Sequence, residues 1–147
     1  MTVNVNLVQW ASDRDPAVNR ARLAELEPGA DLVVLPEAFA RDFGPQDDDL
    51  SAYAEPLDGP FGTAVEAAAE RLGSTVVAGM FEETGETPYN TLLVRGDAVA
   101  DYRKIHLYDS FGYRESDRLS GGPLEPVTFP LAGLTFGLMT CYDLRFP

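Results

Sequence analysis

Two continuous apolar runs constrain this chain more than any other feature. "DLVVLPE" (31–37) and "STVVAGMFE" (74–82) do not alternate with polar residues, which is the pattern of strands buried on both faces. Such strands need cover on each side, and the neighbouring segments supply it. Asp15-Pro16 is an N-cap with proline at the first helical position, predicting a helix through about Leu26 that Pro28-Gly29 stops. Phe61, Val65, Ala68 and Leu72 recur at helical spacing up to Gly73, a C-cap. At the start, Val3, Val5 and Leu7 alternate on one face and predict a strand over 3–10.

The second half reads as strands. "NTLLVRGDAVADYRKIHL" (90–107) predicts a hairpin turning at Gly96-Asp97. "VTFP" (127–130) and "LTFGLMTC" (134–141) predict two more strands joined at Ala132-Gly133. The segments 44–60 and 111–126 read as loops. The order β-α-β-α-β-β-β-β indicates an α/β layered domain over residues 1–147, with functional groups expected where strands stop.

Composition narrows the partners. Asp and Glu number 24 against 11 Lys and Arg, a net charge of −13, and such a field repels nucleic acid and anionic membranes. The same surface fits high-salt adaptation or an arginine-favouring genome equally well. One cysteine excludes an internal disulfide and fits a reducing compartment. With no secretory pattern at the start and no span-length apolar run, a soluble cytoplasmic protein is expected. One Cys and one His offer no metal-ligand spacing, and there is no phosphate-binding glycine loop. No metal and no cofactor are expected.

Three strand ends carry unusual residues. Glu37 closes "LVVLPE", where a carboxylate is poorly hydrated, as a general base requires; an N-cap or a loop ion pair is the alternative. Lys104 is the only lysine, a point charge suited to a developing oxyanion, or else an ordinary surface residue. Cys141 is the only cysteine and sits at a strand-to-loop or strand-to-helix junction, as an exposed nucleophile would, though a small buried hydrophobe is the commoner reading of a free thiol. His106, the only histidine, makes a Cys-His dyad the first scheme to test. It would share a face with Lys104 if the strand continues. Glu115 lies in a loop that could fold over the site, whereas Glu82, Glu83 and Glu86 read as solvated turn charges.

Together, "LVVLPEAF", "YRKIHLYD", "YRES" and "GLMTCYDLRFP" resemble the nitrilase, or carbon–nitrogen hydrolase, superfamily. The initial "VNLVQW" and the strand "YNTLLV" extend the likeness along the chain. The resemblance is nearest to amidases like omega-amidase and deaminated-glutathione amidase. It implies a four-layer α-β-β-α sandwich, of which this chain is the N-terminal part, and a homodimer or larger oligomer. It also implies roles: Glu37 as general base, Lys104 as oxyanion-stabilising lysine, Cys141 as nucleophile, and Glu115 as support for the lysine. Strand-end geometry suggests the Tyr142 N–H as a second oxyanion donor. Arg145 or Arg114 would hold the free carboxylate of a small dicarboxylate monoamide.

The resemblance implies hydrolysis of a small aliphatic amide to acid and ammonia through a cysteine thioester, with His106 in a supporting role. Nitrile hydrolysis, N-carbamoyl hydrolysis and glutamine hydrolysis are alternatives. So is a non-catalytic remnant or partner-completed module, because family members continue beyond "CYDLRFP". A portion of a longer protein, an interrupted gene and a short variant completed by a partner would each account for that.

Overall fold

The computed structural model describes residues 2–147. Five strands form one mixed sheet in sequence order: β1 (Val5–Leu7), β2 (Leu32–Val34), β3 (Thr75–Glu82), β4 (Tyr89–Arg95) and β5 (Ala100–Arg103). The first three are parallel, and β3-β4-β5 is an antiparallel meander. The parallel connections run through helices α1 (Pro16–Arg22) and α2 (Pro60–Leu72). Asp15 caps α1 by accepting the Ala17 N–H, and Gly73 ends α2 at φ 62°, a left-handed conformation that glycine adopts without strain. The helix predicted to reach Leu26 tightens into a 3-10 turn over Leu23–Glu25.

The continuous apolar runs are explained by two separate layers of cover. On one sheet face Val33, Val76, Ala78, Met80 and Leu93 pack against Phe61, Val65, Ala68 and Leu72 of α2 and against Leu23 and Leu26. On the other, Leu32, Val77, Leu92, Val94 and Tyr102 pack against Phe129 and Leu131. These last two belong to a second sheet, the hairpin β8 (Thr128–Leu131) and β9 (Leu134–Gly137). Successive residues of β2, β3 and β4 thus enter opposite cores, helix-backed and sheet-backed, as strand periodicity requires.

Three expectations are corrected. First, β1 is only three residues long, and Val5 and Leu7 are exposed, Leu7 by 74%, because β1 is the sheet's edge and neither layer reaches it. Second, the segment read as a loop over 111–126 carries structure. A short hairpin joins β6 (Asp109–Ser110) to β7 (Tyr113–Arg114), and a 3-10 turn follows over Glu115–Asp117. The acidic segment before α2 likewise holds a 3-10 turn, Leu50–Tyr53. Third, Glu82 is not a solvated charge. It is buried, accepts hydrogen bonds from Arg103 Nε and Thr91 Oγ1, each at 2.8 Å, and pairs with the Arg103 guanidinium. Burial alone would raise its proton affinity, but Arg103 and Thr91 outweigh that and hold it ionised. Glu83 and Glu86 are exposed as expected.

One close approach links the fold to the site. The turn after β2 lies directly on Gly79 of β3: a Cβ there would stand 2.5 Å from the Ala38 nitrogen and 3.0 Å from the Pro36 carbonyl, and the Ala40 N–H donates to the Gly79 carbonyl at 2.9 Å. Gly79→Ala should therefore lower stability by roughly 1–3 kcal/mol through overpacking, read as a reduced urea midpoint with an unchanged slope. A parent-like midpoint would show that the turn is not seated on β3.

Candidate active site

Glu37 begins a turn that follows β2 after two intervening residues, and its neighbour Ala38 has φ 51°. That left-handed residue swings the chain across β3. Lys104 follows β5 directly and is almost fully enclosed, its side chain 2% exposed. Its backbone N–H continues the sheet, donating to the Asn90 carbonyl of β4 at 2.8 Å. Glu115 opens the 3-10 turn after β7 and is as deeply buried as the lysine. The Tyr108 N–H donates to its carboxylate at 2.7 Å, and its own N–H donates to the Tyr108 carbonyl.

These three segments converge on one ammonium group. Lys104 Nζ donates to both oxygens of Glu115 at 2.9 Å and to Glu37 Oε1 at 3.2 Å. Burial would drive the lysine toward its neutral form, but the Glu37 and Glu115 carboxylates reverse this and raise its pKa. Lys104 is therefore a fixed cation. The loop that carries Glu115 brings its buried carboxylate directly onto Lys104.

Cys141 is placed differently from the sequence expectation. Strand β9 ends at Gly137, and the cysteine opens a 3-10 turn, Cys141–Arg145, after three intervening residues. It is exposed and has φ 49°, a conformation costing a non-glycine residue roughly 1–3 kcal/mol. The turn is paid for by Asp143. This buried carboxylate accepts from the Tyr102 hydroxyl, the His106 N–H at 2.8 Å and the Thr140 N–H at 3.1 Å, and contacts His106 Nδ1 at 2.9 Å. Burial would raise its pKa, but these donors, Tyr102 foremost, hold it below the usual carboxylate range.

His106 thus belongs to the support of the cysteine turn. Strand β5 stops at Arg103, so the histidine does not continue a shared strand face with Lys104. It engages Asp143 and stacks on Phe146 with ring centroids 3.8 Å apart. Tyr142 is half-buried and meets Tyr108 and Phe146 edge-on. Arg145 is exposed, and Arg114 is exposed with a long ion pair to Asp117 at 3.4 Å. Neither arginine is drawn into the Lys104 cluster.

Two residues at the site escaped sequence reasoning. Asn90 donates through Nδ2 to Glu37 Oε1 at 2.8 Å. Its signal was an amide near the head of the strand "YNTLLV". Asp143 lies two residues after the cysteine in "CYDLRFP", where a carboxylate has no reason to be buried unless it organises the turn.

The sequence profile of carbon-nitrogen hydrolases matches residues 3–147. A hydrolase of Mycobacterium tuberculosis is 40% identical over 156 residues, which take in 99% of this chain and 54% of that protein. The deaminated glutathione amidase of Escherichia coli O157:H7 is 40% identical over 121 residues, 79% of this chain and 45% of that protein. A CN-hydrolase superfamily protein of Xanthomonas campestris, solved with an arsenic adduct in its active site, superimposes with a TM-score of 0.85 at 34% identity, covering 99% of this chain and 55% of that one. The chain belongs to the carbon–nitrogen hydrolase family. It has the α/β fold of the nitrilase superfamily and spans about half the length of the curated relatives it matches.

The electrostatics make one direct prediction. Burial and then the Glu37 carboxylate push the Cys141 thiol pKa up, while Lys104 pulls it down. Because Cys141 is the only cysteine, its alkylation by iodoacetamide across pH reports that balance alone. The midpoint should lie above the roughly 8.5 of a free thiol. Glu37→Gln should move it down and Lys104→Met up. A midpoint indifferent to both would show that the thiol does not sense either charge.

Proposed function

We propose that this chain carries the catalytic residues of a thiol amidohydrolase. The observation that supports this best is the fixed ammonium of Lys104 bridging Glu37 and Glu115, with an exposed thiol on the Cys141 turn that feels both the Glu37 and the Lys104 charge. Amide hydrolysis needs a nucleophile, a proton carrier and a positive charge at the carbonyl oxygen, and these side chains supply all three.

In the proposed cycle, Cys141 Sγ attacks the amide carbonyl carbon as Glu37 takes the thiol proton. The oxyanion is stabilised by Lys104 and the Tyr142 N–H. Glu37 passes the proton to the amide nitrogen, the C–N bond breaks, and ammonia leaves a thioester on Cys141. Water then attacks the thioester, Glu37 accepting its proton, and the acid departs as the thiol is reprotonated. The raised thiol pKa suits this order, since the sulfur holds its proton until attack. One carboxylate serves both half-reactions, so His106 is not needed as a base. Glu115 holds the lysine in place.

The substrate class proposed is a small aliphatic amide, the deaminated glutathione amidase among the relatives lending support. A dicarboxylate monoamide would place its free carboxylate near Arg145 or Arg114, both exposed. By family likeness a homodimer or larger homo-oligomer is proposed, acting on small molecules in the cytoplasm.

A second reading, a non-catalytic or partner-completed module of the same family, is favoured by exposed apolar side chains: Leu7, Met139, Leu144 and Phe146 are uncovered by 47% or more.

Ammonia release from a panel of small amides separates the two readings. The amidase reading predicts release that disappears in Cys141→Ala and falls at least about 10²-fold in Glu37→Gln. No release from any amide, with strong binding of a hydrophobic dye, favours the module. Within the amidase reading, Arg145→Gln or Arg114→Gln should raise KM for an acidic amide far more than for a neutral one. Equal effects on both substrates would remove the arginines from substrate recognition.

A further inference from the structure

Glu37 has two carboxylate oxygens, and only one is free to work. Oε1 receives Asn90 Nδ2 at 2.8 Å and Lys104 Nζ at 3.2 Å. Among the described residues, no backbone or side-chain N–H is directed at Oε2. Asn90 is completely enclosed within β4, and its amide oxygen has no hydrogen-bond partner. An unpartnered buried acceptor costs about 1–3 kcal/mol, so an apolar side chain of similar volume would serve packing better. The retained amide points to a use for its N–H group. Its backbone serves the same site, since the Asn90 carbonyl accepts the Lys104 N–H at 2.8 Å.

From this geometry we infer that Asn90 is a positioning residue that dedicates Oε1 of Glu37 to structure and leaves Oε2 as the oxygen that exchanges protons with the Cys141 thiol and the substrate nitrogen. The inference rests on the amidase reading above. Without the Asn90 donor, Glu37 is tethered by a single contact to a rounder, less directional ammonium, and its carboxylate rotates between the two oxygens. The proton still moves from sulfur to carboxylate to nitrogen, but from a base that spends most of its time misaligned.

The test is steady-state ammonia release by the protein and by Asn90→Leu and Asn90→Asp, with urea midpoints measured in parallel. Asn90→Leu removes the donor and should lower kcat by about 10²-fold with KM within threefold of the parent. Asn90→Asp is nearly isosteric and donates only while protonated, so its kcat should recover toward the parent at acid pH and fall as pH rises. No such recovery is expected of Asn90→Leu. A kcat within twofold of the parent in Asn90→Leu, or identical pH profiles for both variants, would overturn the inference while leaving the amidase reading intact. A loss of activity in Asn90→Leu that matches a collapse of its urea midpoint is decided by Asn90→Asp: acid recovery supports the positioning role and its absence overturns it. A parent protein that releases no ammonia, or whose release survives Cys141→Ala, overturns the amidase reading and this inference with it.

Discussion

The Lys104 ammonium is the contact on which the site depends. Removing an ammonium from water costs several kcal/mol even after relaxation, and only well-placed opposite charges recover it. Here two carboxylates do so, from positions 67 residues before the lysine and 11 after it. An exposed ion pair contributes little to stability and is screened by salt, but a buried lysine that loses a partner is left with an uncompensated charge. The turn after β2, the end of β5 and the turn after β7 must therefore arrive together. The sheet order achieves this by keeping β2, β3, β4 and β5 as successive neighbours.

The cysteine turn is held by a separate hub with the same logic. Asp143 draws donors from β5 through Tyr102, from the following segment through His106, and from its own turn through Thr140. Lys104 and His106 are two residues apart, so one short stretch of chain fixes the cation to the carboxylates and the cysteine turn to the sheet. The strained φ of Cys141 is tolerable because those bonds over-determine the turn. The exposed thiol and the enclosed lysine thus differ in burial yet share a backbone support.

Much of this was legible in the sequence. The continuous runs of β2 and β3 announced strands covered on both faces, and the caps at Asp15 and Gly73 bounded the helices. Glu37 stood out as a charge closing an apolar run and Lys104 as the only lysine, placed after a predicted strand, and the structure brings them to one cluster with Glu115. What was not legible is tertiary. The alternation of Val3, Val5 and Leu7 gave a strand but not which face would be covered, and at a sheet edge neither layer reaches Val5 or Leu7. Glu82 has the local appearance of a turn charge, and only the β3-β4-β5 pairing reveals Thr91 and Arg103 beside it. Cys141 sits beyond its strand because the chain leaves the ladder after Leu138, whose N–H makes the last cross-strand bond, to the Val127 carbonyl, and apolar periodicity cannot register that departure. Asn90 and Asp143 are single polar residues whose partners lie 53 and up to 41 positions away, too distant for any local pattern to hold.

The central claim, that an amide passes through a covalent thioester on Cys141, is tested most directly by partitioning with hydroxylamine. An amide and an ester sharing one acyl group would be hydrolysed in its presence, and the ratio of hydroxamate to free acid measured for each. A common acyl-thioester predicts the same ratio from both substrates, because the leaving group has gone before hydroxylamine and water compete. Ratios that differ between amide and ester would contradict a common intermediate and, with it, the nucleophilic role of Cys141.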